Sequence, residues 1–166
     1  MIEVLLSKGR DEPLESFDVI YERHVSMLYR VCFSYMKNAP EAEDVVADVF
    51  VKLLAHGLKF QNTEHEKAWL LRTAINLCKD RLKHWWRKRA DIDDYCNLEC
   101  EGGFMETETM KAVMELPNRY KDVIYLYYYE GYSSTEVAEI LKKPPSTILN
   151  HLSEARKLLR GVLENE

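Results

Sequence analysis

The chain has 166 residues, 46% of them hydrophobic and 31% charged, and carries a net charge of −5. Such a length buries one modest core or two small ones, and such a composition excludes an intrinsically disordered chain. No run of about 18 apolar residues occurs, so no membrane insertion is expected, and the start, MIEVLLSKGRDEPLESF, has acids where a signal peptide needs bases, which makes cytoplasm the expected compartment.

Taken in chain order, the pattern is helical throughout. Residues 14–37 place Phe17, Ile20, Tyr21, Val25, Leu28 and Val31 at three-and-four spacing, which predicts an amphipathic helix. Asn38-Ala39-Pro40 is a turn, with Pro40 suited to a helix start. The next helix, over 40–57, has Ala42, Val46, Val49 and Leu53 on one stripe and ends at Gly57. A third, over 64–89, aligns Ala68, Leu71, Ile75, Cys78, Leu82 and Trp85. Three helices on short loops predict one small bundle.

Charge then changes sign abruptly. Residues 66–90 hold eight Lys/Arg against two acids, and residues 91–109 hold seven acids and no base. The acidic stretch breaks the helical periodicity and contains Gly102-Gly103, so it is expected to be a flexible linker. The predicted organisation is therefore all-α: two small helical domains, 1–90 and 110–166, joined by an acidic linker over 91–109. In the second, one helix ends near Leu116, another opens at Pro117, a third covers 134–141 and a last one starts near 145.

Two constellations carry chemistry. In "GYSSTEVAEILKKPPSTILNHLSEARKLLR", Ser133 and Glu136 form a capping box, and Val137, Ile140 and Leu141 form an apolar face. Lys142-Lys143-Pro144 makes a turn, after which Ile148, Leu152, Ala155, Leu159 and Val162 repeat at alternating four-and-three spacing. Two helices, a tight turn and an apolar seam predict a helix-turn-helix. Ser146, Thr147, Leu149, Asn150 and His151 are left exposed near the start of its second helix, followed by Arg156, Lys157 and Arg160. In the third helix, Arg72, Asn76, Lys79, Lys83 and Arg87 line up at 100° per residue, with His84, Trp85 and Trp86 interleaved. Phosphates attract such charges and bases stack on such rings, so this stripe suits exposed nucleic acid. The clustered tyrosines 125, 127, 128, 129 and 132 fit core and rim positions better than a stacking platform.

Together these segments resemble the small, two-domain extracytoplasmic-function (ECF) sigma factors of bacterial RNA polymerase. "YERHVSMLYRVCFSYMKNAPEAEDVVADVFVKLL" is similar to their polymerase-binding segment, and "KAWLLRTAINLCKDRLKHWWRKR" to the helix that reads and melts the −10 element. "LPNRYKDVIYLYYYEGYSSTEVAEILKKPPSTILNHLSEARKLL" is similar to the domain that reads the −35 element. The resemblance implies core RNA polymerase, promoter DNA and an anti-sigma factor as partners. It implies that Asp44, Asp48, Phe50 and Lys52 contact a coiled coil of the polymerase's largest subunit, although Ala47 stands where relatives commonly have Gln. Asn76 would hold a flipped −10 base by its amide, with residues 60–65 forming part of the pocket. Arg72, Lys79, Lys83, Trp86 and Arg87 would hold the non-template strand. The −35 reader would use Ser146, Thr147, Leu149, Asn150 and His151, with Arg156 and Lys157. Leu149-Asn150-His151 replaces a common Lys-Ser-Arg, so the −35 sequence is not deducible. The acidic linker would enter polymerase channels built to hold nucleic acid, where it mimics phosphate.

Two other classes fit less well. A helix-turn-helix regulator acting without polymerase leaves the basic aromatic helix and the acidic stretch unexplained. An enzyme lacks support: there is no Gly-rich phosphate loop and no H-E-x-x-H, and the five histidines are dispersed. No cofactor or metal is expected. Cys32 and Cys78 fall on core positions, and Cys96 and Cys100 alone make a weak metal signal.

Overall fold

The structure, a computed structural model, describes residues 15–57, 59–89 and 108–164, with backbone alone for 86–89 and 162–164. It contains α1 (Phe17–Met36), α2 (Ala39–His56), α3 (Thr63–Arg89), α4 (Glu108–Glu115), α5 (Asn118–Ile124), a π-helical turn (Tyr125–Tyr129), α6 (Ser134–Leu141) and α7 (Pro145–Glu164). The fold is all-α.

Local chemistry sets the helix ends. α1 stops where Lys37 turns left-handed at φ 53° and its N–H reaches Phe33 O at 2.8 Å. Asn38 then caps α2, its Oδ1 accepting from Glu41 N–H at 3.0 Å. Gly57, at φ 93°, closes that helix as its sequence position predicts. Asn62 caps α3 by accepting from His65 N–H at 2.8 Å. The capping box is present: Ser133 Oγ accepts from Glu136 N–H at 3.2 Å, and Glu136 Oε2 accepts from Ser133 N–H at 2.8 Å.

Helices α1, α2 and α3 pack together around Ile20, Leu28, Val45, Leu53, Leu71 and Ile75, all buried. Buried Glu66 ties α3 to α1, accepting from His24 Nε2 at 2.7 Å and Arg23 Nη1 at 3.1 Å. Helices α4 to α7 surround Ile124, Leu126, Ile148 and Leu152. Cys32 and Cys78 are buried free thiols, and the hydrogen bond between them, followed by burial, pushes the Cys32 thiol well above its usual range.

One expected boundary shifts. The acidic segment does not stop short of a helix, because Glu108 and Thr109 already belong to α4. Helix α5 runs on into the π turn, where Glu130 N–H bonds to Tyr125 O at 3.1 Å and Tyr132 N–H to Leu126 O at 3.0 Å. Tyr125 OH donates to Glu130 Oε1 at 2.9 Å and braces this widened turn. Tyr125 and Tyr132 are buried while Tyr128 and Tyr129 are exposed, the mixture of core and rim that the spacing suggests. Residues 90–107, with Cys96, Cys100 and most of the expected linker, lie outside the described residues.

Candidate nucleic-acid interface

The basic stripe of α3 is built by 27 residues of continuous helix. Asn76 and Lys83 are exposed and Arg72 is half-buried. Lys79 is drawn aside: its ammonium pairs with Asp122 of α5, a carboxylate with no exposed surface. The side chains of Trp86 and Arg87 lie outside the described residues. Near the start of α3 four rings from three segments meet. Phe60 stacks on His56 with centroids 5.1 Å apart, Trp69 lies 4.8 Å from His56 and 5.7 Å from Phe60, and His65 meets Phe60 edge-on at 5.5 Å. Only the loop part of this cluster is suggested by the sequence, because its members come together solely through the α2–α3 crossing.

The second helix of the helix-turn-helix presents a narrower face than its sequence suggests. Ser146, Leu149, Asn150 and Ser153 are exposed and share one side of α7. Thr147 and His151 are half-buried. His151 packs edge-on against Tyr120 at 5.6 Å, with its Nδ1 buried and without a hydrogen-bond partner among the described residues. Burial first, then Lys143, Arg119 and Lys79, lower its pKa and keep it neutral. Arg156 turns away from that face, donating from Nε to Tyr128 OH at 2.7 Å and lying over the Tyr127 and Tyr128 rings. Lys157 pairs with Glu154 at 3.0 Å. Arg119 and Lys143, which sequence reasoning did not single out as contacts, add positive charge beside His151.

A separate face lies on α2. Asp44 and Asp48 are exposed and point to one side, where Arg81 of α3 reaches Asp48 Oδ2 at 2.7 Å, Glu41 Oε2 at 3.1 Å and Asp44 Oδ2 at 4.0 Å. Lys52 is exposed. Phe50 is not a surface contact as expected: at 4% exposure it is buried, held edge-on by Phe17 at 5.8 Å and beside Tyr21 at 4.7 Å. It lines an apolar groove of about 370 Å³ between α1 and α2, whose other walls include Tyr21, Val25, Val51 and Leu54. Val51 and Leu54, 64% and 54% exposed, are the residues that sequence reasoning missed. Their signal was there, as apolar residues off the core stripe of an otherwise amphipathic helix.

Comparison with known proteins decides what this arrangement is. Sigma-70 region 2 matches residues 20–88, and Sigma-70, region 4 matches residues 107–159. RNA polymerase sigma factor SigV of Bacillus subtilis (strain 168) is 31% identical over 146 residues, covering 86% of this chain and 88% of its own. The chain belongs to the ECF sigma factors of bacterial RNA polymerase. ECF RNA polymerase sigma factor SigW of the same strain is 24% identical, covering 99% of this chain and 98% of its own. Two solved structures share the fold. The sigma factor RpoE of Bartonella quintana, in complex with the anti-sigma factor NepR, has a TM-score of 0.73 at 23% identity, covering 89% of this chain and 96% of its own. CnrH, in complex with the cytosolic domain of CnrY, has a TM-score of 0.63 at 22% identity, covering 90% and 88%.

As a sigma factor the protein directs RNA polymerase to promoters, and its family is one of non-catalytic initiation factors. The region 2 match spans the basic stripe of α3 and both acids of α2, and the region 4 match spans the helix-turn-helix. Among the described residues no helix is long and apolar enough to cross a membrane, and no group of His, Cys, Asp or Glu is placed to hold a metal ion.

Proposed function

We propose that residues 1–90, a linker over 91–109, and residues 110–166 divide the work of promoter recognition. In this reading the sigma factor meets core polymerase through the α2 face. Asp44, Asp48 and Lys52 supply the polar contacts, and the groove floored by Phe50 takes an apolar side chain. Arg72, Asn76 and Lys83 then bind the displaced non-template strand, joined by Lys79, Trp86 and Arg87 along the same stripe. Asn76 reads a base edge, since an amide both donates and accepts. The exposed edge of α7, with Ser146, Leu149 and Asn150, reads the −35 duplex. Thr147 and His151 border it, and Arg156 and Lys157 contribute positive charge. The observation that carries this reading is the exposure of Asn76 and Lys83 on a helix whose remaining stripe is cationic.

The same reading places the protein in the cytoplasm beside its polymerase, with no chemistry of its own. It also gives the protein an anti-sigma partner, as NepR is for RpoE. Charge balance fits a factor that recognises promoters only with polymerase: residues 110–166 hold eight bases and eight acids, far from the basic surface of a protein that binds DNA alone.

Run-off transcription with purified core polymerase tests it, using genomic fragments that include the DNA upstream of this gene. Discrete start sites that require the protein are expected. DNA binding by the free protein without any start site would move the reading to a regulator acting without polymerase.

A further inference from the structure

The groove between α1 and α2 opens where the described part of the chain begins. Phe17, Tyr21 and Val25 of α1 form one wall, and Val51 and Leu54 of α2 form the other above the Phe50 floor. Tyr21, Val51 and Leu54 are 42%, 64% and 54% exposed, so three large apolar side chains around one groove stand in water. Scattered singly such residues need no explanation, but gathered together they mark an interaction surface. Glu43 is the charged residue of the lining, and it and its neighbour Asp44 are exposed beside the apolar walls.

The sequence ahead of α1 has the matching chemistry. Ile2, Val4, Leu5 and Leu6 form an apolar cluster, in which Ile2, Leu5 and Leu6 have the i, i+3, i+4 spacing of segments that lay one face into a groove. Residues 7–13 follow it with no large apolar side chain, and Lys8 and Arg10 among them carry the charge opposite to Glu43 and Asp44. Gly9 and Pro13 are residue types at which a chain reverses. Leu6 stands eleven residues before Phe17. Such a stretch spans up to about 36 Å, whereas the α1 wall, residues 17–25, covers only about 12 Å. The tether therefore reaches every part of the groove and holds the cluster there at a local concentration of about millimolar.

We propose that Ile2, Leu5 and Leu6 occupy the α1–α2 groove in the free protein, so that the chain covers its own polymerase-facing surface until core polymerase displaces the segment. The consequence rests on the reading of the α2 face as the polymerase contact, but occupancy is measurable without polymerase. Apparent affinity for core falls in proportion to the uncovered fraction, so a groove covered about two-thirds of the time binds about threefold more weakly.

Photo-crosslinking of the full-length free chain reads occupancy. The photoreactive analogue p-benzoylphenylalanine at position 5 keeps that side chain apolar, and mass spectrometry maps what it couples to. We expect intramolecular links to Tyr21 and Val51, at a yield independent of protein concentration and several-fold lower in Leu54→Ser. Titration with core polymerase reads the competition. Leu5→Ser combined with Leu6→Ser, with wild-type circular dichroism, should bind core about threefold more tightly. Absence of links, links confined to other faces, or links joining two copies would overturn the proposal, the last in favour of a dimer through this groove. Unchanged or weaker core binding by the double variant would overturn the self-covering role. Failure of the wild-type chain to bind core at all would instead strike the functional reading, and the links alone would then decide occupancy.

Discussion

Arg81 on α3 donates through Nη2 to Asp48 on α2 at 2.7 Å, and through Nη1 to Glu41 at 3.1 Å, so one guanidinium ties Asp48, which faces polymerase in our reading, to its neighbour Glu41. The cluster is half-exposed, and such pairs contribute about 1 kcal/mol or less to folding. Arg81→Ala is therefore expected to lower stability in urea by about that amount. It leaves the carboxylates in place, so affinity for core polymerase should stay within about threefold. Asp48→Ala removes a charged partner outright and should weaken core binding about tenfold, roughly 1.4 kcal/mol. Titration of labelled protein with core polymerase distinguishes them. Unchanged binding by Asp48→Ala would remove the α2 acids from the contact.

The groove beside those acids separates stability from binding. Phe50 fills its floor from inside, whereas Leu54 stands 54% exposed on its rim. Phe50→Ala leaves a cavity among Phe17 and Tyr21 and should cost about 3–5 kcal/mol of folding free energy. Leu54→Ser removes no core contact and should change stability by no more than about 0.5 kcal/mol. If the rim seats a polymerase side chain, Leu54→Ser still weakens core binding about tenfold. Denaturation midpoints measured beside core affinity read the two effects independently. Wild-type core affinity in Leu54→Ser would leave the groove without its assigned role.

Lys121 makes a prediction in pH. Burial first, then the neighbouring Lys37, push its ammonium from 10.5 down to about 8, against the opposing pull of Glu115 and Cys78. The folded chain thus releases this proton near pH 8, while the unfolded chain keeps it until about 10.5. Between those values the unfolded state holds more protons, so stability from this group rises with pH. Below the window both states are protonated and the contribution is flat. The slope is bounded by about 1.4 kcal/mol per pH unit. Lys79 and Asp122 also titrate nearby, so the informative quantity is the difference between wild type and Lys121→Met in urea across this window. That difference should grow with pH. A constant difference would mean that Lys121 keeps its charge in the folded chain.

What the sequence made legible was local. Pro40, Gly57 and the Ser133–Glu136 box act within one turn of the chain, so their residue types suffice to place the ends of α2 and the start of α6. Apolar spacing likewise located α1, α2, α3, α6 and α7, whereas α4 and α5 were placed only by the break at Pro117. Phe50 escaped because it sits at the edge of the α2 stripe, and the rings that close that edge, Phe17 and Tyr21, come from α1. Lys79 and Asp122 are 43 residues apart, on segments joined through the acidic stretch, and no periodicity relates them. The basic stripe was therefore readable as a stripe, but the loss of one of its lysines to a buried carboxylate was not. The π turn was invisible for a similar reason, since the sequence there reads as a continuing helix and the widening is fixed by where Glu130 and Tyr132 find acceptors.

In the helix we propose as the −35 reader, exposure separates Asn150 from His151, two residues whose chemistry alone lets either contact DNA. Asn150 is exposed on the side shared with Ser146 and Leu149, and an amide in the major groove pairs in bidentate fashion with adenine. His151 is wedged against Tyr120 and held neutral by burial and neighbouring cations, so it is poorly placed to donate two bonds to a base. Lys157 contributes charge rather than shape and is already shared with Glu154. Run-off transcription from promoters with a randomised −35 element should therefore give three patterns. Asn150→Ala relaxes the preference at one base pair, losing about 1–3 kcal/mol of discrimination there. Lys157→Ala lowers output evenly across sequences. His151→Ala also lowers it evenly, by loosening the packing of α7 on α5 rather than by losing a base contact. Relaxation at one base pair by His151→Ala, with Asn150→Ala neutral, would reverse the ranking and mean that α7 rotates when it enters the groove.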